Sequence, residues 1–189
     1  MKPSVFNLLR LEFTHFEVER NREFSAGKAE ESFPQIDFEF NNVNFEFGAQ
    51  LLYPDNELDD PRHFTVAASF AVRQSMQDDV VLPYSVTLQG SAFLYFKGEH
   101  TGIERFRAVR ATAYMMLYGA FREQVANFTS RSSHGLWFLP APTFNEKADL
   151  DAAEDVRKWE LALESFKIEK IKPSKKPATK RAKKIVTEG

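Results

Sequence analysis

From Leu9 the chain alternates, with Leu9, Leu11 and Phe13 apolar and Arg10, Glu12 and Thr14 polar; Phe16 and Val18 then take up the opposite phase around Glu17. A period of two marks a strand with one buried face, and the slip of phase predicts a bulge near His15. A polar stretch from Arg20 to Ser32 breaks the pattern. Ile36, Phe38 and Phe40 then alternate with Asp37 and Glu39, and after Asn41-Asn42 the pattern resumes with Phe45, Phe47, Ala49 and Leu51. Pro54 to Pro61 reads as a turn. Phe64 to Val72 and Val80 to Phe96 supply two more strands, separated by the turn-like Gln77-Asp78-Asp79. Four principal antiparallel strands with short polar connections predict a meander.

The period then changes. Thr101-Gly102-Ile103-Glu104 fits a capping box, and Phe106, Val109, Ala113, Leu117, Phe121, Val125 and Phe128 follow at helical spacing. Gly119 weakens the middle of that helix by about 1 kcal/mol relative to Ala. Ser132, Ser133 and Gly135 end it, and Leu136 to Phe144, with two prolines, predicts an extended crossover. A second helix is expected from about Glu146 to Phe166, with Ala153, Val156, Trp159, Leu163 and Phe166 on one face. The fold class is therefore α+β: a four-stranded antiparallel meander sheet packed with a long helix and a shorter C-terminal helix.

Composition sharpens this picture. The chain has 189 residues, 43% of them hydrophobic, which suits one globular domain. Phe occurs 19 times and Cys not at all, so thiolate chemistry and disulfides are excluded. Lys167 to Lys184 holds nine of the 25 basic residues and one acid, Glu169, whereas residues 1–166 carry 16 basic and 25 acidic side chains. A domain over residues 1–166 and a basic, disordered tail over 167–189 are expected. Met1 to Val18 is too polar for the apolar core of a secretory signal, and the longest apolar run, Ala113 to Phe121, has nine residues against the roughly 20 that span a bilayer. A soluble, cytoplasmic protein without membrane insertion is expected.

Catalytic patterns are missing. His15, His63, His100 and His134 are scattered, and none forms a metal-binding pair. Asp55 to Asp60 fails the calcium-loop template, because Asp60 stands where the turn glycine belongs and Val66 where the bidentate Glu belongs. Ser132-Ser133-His134 lacks a nucleophile-elbow context, and no glycine sits in a phosphate-cradling motif. No enzyme activity, metal or cofactor is expected.

One stretch carries a family likeness. Leu117-Tyr118-Gly119-Ala120-Phe121-Arg122-Glu123, Ser130-Arg131 and Leu139-Pro140-Ala141-Pro142-Thr143-Phe144 resemble, in order and spacing, three segments of the SecB protein-export chaperones. The likeness is detailed over residues 113–144 and a matter of pattern and length over residues 8–165. Gly119 stands where the family has a proline, Ser132-Ser133-His134 replaces its Gly-rich turn, and the basic tail replaces a short polar or acidic one. The divergence is of the kind expected of a SecB-like chaperone paired with a toxin–antitoxin system.

The resemblance implies an ATP-independent holdase for unfolded polypeptide clients, a homotetramer built as a dimer of dimers, and SecA or an antitoxin as partner. Leu136, Trp137, Phe138 and Leu139 form an apolar cluster on an irregular segment. With Phe144, Phe45 and Phe47 they are the expected client-binding residues; the alternative is that Trp137 and Phe138 plug the core where the crossover passes the sheet. Leu117, Phe121 and Val125 are the expected oligomer interface, or else monomer core. Asp37, Glu39 and Glu46 are either a solvated acidic face or the docking site of a basic partner. Arg122 and Glu123 stay open between a solvated pair and a functional one. Nucleic acid is a possible partner only through the tail, whose clustered Lys and Arg suit a polyanion or the ribosome.

Overall fold

The computed structural model describes residues 4–25, 35–36, 38–74 and 80–171. Strands β1 (Phe6–Arg20), β2 (Glu46–Leu52), β3 (His63–Val72) and β4 (Tyr84–Phe96) precede helices α1 (Gly102–Thr129) and α2 (Asn145–Ile171). The α+β class, with its four-stranded antiparallel sheet and two helices, is as the periodicities predict. The strand order is not a simple meander. Strands β2, β3 and β4 follow one another, but β1 lies beside β4, giving the order β1-β4-β3-β2 of a Greek key. Residues 21–45 separate β1 from β2, a length ample to reach the far edge of the sheet.

Pairing registers place Phe64 opposite Leu94, Val66 opposite Ala92, Ala68 opposite Gly90 and Phe70 opposite Leu88. These residues share the buried face, as the alternation requires. The register of β1 against β4 skips at Leu9 and again at Thr14, beside the residue where the sequence changes phase. The second bulge turns Phe13 and Phe16 to the same side, where they meet Phe121 and Phe128 at 5.8 and 5.6 Å between ring centroids. Gly90 has a specific reason to be glycine. A Cβ there would lie 2.6 Å from the Glu12 carbonyl oxygen and 3.2 Å from the Phe121 ring, so the helix closes on the sheet at that point.

Helix α1 lies over this face with Phe106, Val109, Ala113, Leu117, Phe121 and Val125 all buried. Each fully buried large apolar side chain contributes about 1.5–3 kcal/mol. The expected capping box does not form: Thr101 makes no side-chain cap bond, and Glu104 pairs with Arg107 at 3.3 Å instead. Gly102 follows at φ 51°, outside the helical geometry that a capping box needs.

Two further expectations change. Ile36, Phe38 and Phe40 do not lie in a strand, although they alternate; Gln35 makes an isolated parallel bridge to Leu136, and the Ile36 amide donates to the Leu136 carbonyl at 2.8 Å. The alternation serves to lay Phe38 and Phe40 against Trp137. Helix α2 runs to Ile171, five residues past Phe166, and its inner face is Ala148, Ala152, Asp155, Val156 and Trp159, with Ala153 exposed. That rotation follows from a polar seam. Arg110 of α1 donates to both oxygens of Asp155 at 2.7 and 2.8 Å, the Tyr114 hydroxyl donates to Asp151, and the Trp159 indole donates to the Leu58 carbonyl at 2.7 Å. Arg110 also donates to the Ala49 carbonyl on edge strand β2 at 3.3 Å. Asp37, residues 75–79 with the Gln77-Asp78-Asp79 turn, and the tail from residue 172 lie outside the described residues.

Candidate functional site

The crossover after α1 is anchored on one side and open on the other. Thr129 ends the helix with its hydroxyl donating to the Val125 carbonyl at 2.8 Å, and the same oxygen accepts the Trp137 amide at 3.0 Å. The Tyr84 hydroxyl donates to the Gly135 carbonyl at 3.0 Å, and the Tyr118 hydroxyl to that of Pro140 at 2.8 Å. Burial pushes the Tyr118 hydroxyl up to about 12, against the opposing pull of the Arg122 guanidinium, so it stays protonated as a donor at neutral pH.

Held this way, the segment alternates like a strand. Trp137 and Leu139 point inward at 1% and 0% exposure, whereas Phe138 stands out at 40% and Leu136 is half-buried. The Trp137 ring stacks on Phe40 at 5.5 Å and 24°, with Phe38 and Tyr84 at 5.9 and 6.0 Å. Phe144 is buried against Phe47, Tyr114 and Tyr118. Phe45 and Phe47 are half-buried, Phe45 beside Phe40 and Phe70. Of the residues expected to contact a client, Phe138 and, in part, Leu136, Phe45 and Phe47 therefore offer surface. Trp137, Leu139 and Phe144 plug the core because their neighbours already surround them.

The other expected sites fall apart in space or in burial. Leu117, Phe121 and Val125 are fully buried within one chain and have no surface to give a second copy. Glu46, exposed at the start of β2, lies 3.6 Å from Arg73, and Glu39 accepts from the Asn41 amide at 3.2 Å. Glu46 is thus already paired with a cation of its own chain, and Glu39 is hydrogen-bonded to a neutral amide. Among the described residues no group of three or more His, Asp or Glu is placed to hold a metal ion, and no helix is long and apolar enough to cross a membrane.

A groove of about 590 Å³ opens between the outer side of α1 and the crossover, lined by Gly119, Arg122, Ala126, Asn127, Leu136 and Phe138, with Glu123 and Ser130 at its rim. The small residues Gly119 and Ala126 alternate along the helix with polar ones, and a Cβ on Gly119 would meet nothing within 4 Å. Arg122 places its guanidinium carbon 6.0 Å from the Phe138 ring centroid. Its Nε is buried with no hydrogen-bond partner. Sequence reasoning took Gly119 only as a weak point of the helix; the spacing 119, 122, 123, 126, 127, 130 was the readable signal of a shared face.

A second apolar surface lies on the opposite flank. Edge strand β1 leaves Leu8, Phe13 and Phe16 exposed beside Phe128 of α1. Beyond the Phe121 and Phe128 rings no described element covers them, and α2 packs on α1 through the Arg110–Asp155 seam instead.

The fold and the groove define an α+β protein with an open apolar channel along one helix. No family model and no curated protein matches the chain. Among solved structures it is similar to the Mycobacterium tuberculosis Rv1957 SecB-like chaperone in complex with a ChAD peptide from the HigA1 antitoxin. That match has a TM-score of 0.48 and 18% identity, and covers 72% of this chain and 90% of that one. It is also similar to a protein of unknown function from Streptococcus agalactiae, with a TM-score of 0.42, 13% identity, and 72% and 97% of the two chains covered.

Proposed function

We propose that this protein is an ATP-independent holdase chaperone that keeps non-native polypeptide from aggregating by binding extended apolar segments in the groove beside the crossover. The observation that carries the reading is Phe138, exposed at 40% over a groove of about 590 Å³ on a segment whose other face is fastened to the core. An exposed aromatic on a rigid support provides contact area at little entropic cost. An open groove with an apolar floor of Gly119, Ala126, Leu136 and Phe138 and polar residues around it suits clients of many sequences. The likeness of residues 113–144 to SecB chaperones supports the same conclusion.

The homotetramer belongs to this proposal with its contact surface reassigned. Edge strand β1, with Leu8, Phe13 and Phe16, and Phe128 beside it, is the apolar face available for a second copy. A 15-residue edge strand with unpaired backbone groups is itself an invitation to pair. Several grooves on one oligomer then add through effective concentration.

The test is titration of the purified full chain into a reduced, unfolded polypeptide, following aggregation by light scattering and the size of the free protein. Suppression near stoichiometric oligomer supports the reading; no binding at micromolar oligomer overturns it. Breadth across several clients separates a general holdase, handing over to a partner such as SecA, from a chaperone dedicated to one antitoxin. The basic stretch up to Lys184 favours a second, separable activity toward polyanions. Truncation after Ile171, where α2 ends, should abolish that activity and leave client binding intact.

A further inference from the structure

We propose that the connection between β1 and β2 is a built-in occupant of the crossover: Phe38 and Phe40 lie over Trp137 as a bound chain would, and a client lifts them to reach it. This inference rests on the holdase reading and goes beyond it. It adds to the groove at Phe138 a second client site, one that the protein covers for itself.

The connection is longer than its path requires. Three strand spacings of about 4.8 Å separate the two edges of the sheet, a gap that about five extended residues span. Residues 21–45 lie between β1 and β2. Part of the surplus runs along the crossover in the manner of an extended ligand. Gln35 bridges Leu136 in parallel, the Ile36 amide donates to the Leu136 carbonyl at 2.8 Å, and no ladder continues from there among the described residues. Phe38 and Phe40, two positions apart, meet Trp137 at 5.9 and 5.5 Å between ring centroids, the second stacked at 24°. The Val43 amide then turns back on the Phe40 carbonyl at 3.3 Å, with Asn42 at φ 63°, and the chain enters β2.

These contacts can be exchanged. Ring packing is non-directional, so two large apolar side chains of another extended chain, also two residues apart, replace Phe38 and Phe40 at little net cost. Both rings are half-buried, whereas Trp137 beneath them is 1% exposed. Trp137 does not depend on them for its place. Thr129 Oγ1 accepts its amide at 3.0 Å, and Tyr84 flanks its ring at 6.0 Å. Its indole N–H is buried with no partner, so the covered state leaves one donor unmet. A site occupied by its own chain binds a client with an affinity reduced by the fraction of copies that are open. Weakly apolar segments are thereby refused and strongly apolar ones admitted.

The chain has no cysteine, so a single reversible lock can be built into it. In Gln35→Cys with Leu136→Cys the two bridge partners, about 4.8 Å apart, lie within disulfide reach. Binding of a labelled, carboxymethylated and permanently unfolded polypeptide is followed by fluorescence anisotropy. The oxidised form of this variant is expected to bind about tenfold more weakly than its own reduced form. Phe38→Ser with Phe40→Ser is expected to bind about fivefold more tightly than the unaltered chain and still to unfold cooperatively in denaturant. A gain in affinity is an outcome that removing merely structural rings would not give. Equal affinity of the oxidised and reduced forms overturns the inference. So does a Phe38→Ser, Phe40→Ser protein that binds no more tightly or no longer unfolds cooperatively; the segment is then core, and the holdase reading stands. Failure of the unaltered chain to bind the polypeptide overturns the inference together with that reading.

Discussion

On one flank of α1, Arg110, Asp155, Tyr114 and Asp151 form a buried polar seam that fastens α2; on the other flank, Phe13 and Phe16 of edge strand β1 stay partly exposed beside Phe128. The first flank is directional. A bidentate ion pair accepts one geometry, so it fixes where α2 lies, even though its net contribution to stability is small once desolvation is counted. The second flank is non-directional and its energy is unspent within one chain, which is what an assembly surface needs. The crossover repeats the contrast within one segment, with Trp137 and Leu139 committed to the core and Leu136 and Phe138 left to the groove.

Substitutions can break this contrast in graded steps. The largest effect is expected from Trp137→Ala, which empties a site enclosed by Phe38, Phe40 and Tyr84 and should cost about 3–5 kcal/mol in denaturant unfolding. Asp155→Ala should follow closely, at about 3–5 kcal/mol, because it leaves the Arg110 charge buried and unmatched; Arg110→Met together with Asp155→Leu should recover much of that loss. Gly90→Ala should cost about 1–3 kcal/mol, since the backbone oxygen of Glu12 cannot move aside cheaply. Phe16→Ser with Phe128→Ser should cost the monomer about 1–2 kcal/mol, because the two rings pack together, and shift the mass measured by light scattering toward smaller species. The smallest change in stability belongs to Phe138→Ala, within about 1 kcal/mol, but client affinity should fall about five- to tenfold. A Phe138→Ala protein that binds clients normally would sink the groove.

Much of this was legible locally. The stripe from Phe106 to Val125 located α1, and the phase slip between Phe13 and Phe16 located the bulge to within a residue. The alternation at Ile36–Phe40 was read as a strand because period two says only that a segment has two faces. Partner backbone is a non-local matter, and here Phe38 and Phe40 face a tryptophan a hundred residues on rather than a neighbouring strand. The roles of Leu117, Phe121 and Val125 were ambiguous for a related reason: an apolar helical face serves a core and an interface equally well until the sheet beneath it is seen.

By itself, then, the sequence determined the element types, the open crossover with its aromatic cluster, and the separation of an acidic body from a basic tail, because each rests on periodicity or composition within a short window. Only the tertiary structure decided the order β1-β4-β3-β2 and the rotation of α2 onto Arg110. It also decided which face of the crossover meets solvent and left Arg122 in the groove without an acceptor. Those outcomes depend on which distant side chains occupy the space on either side, and no local pattern records that.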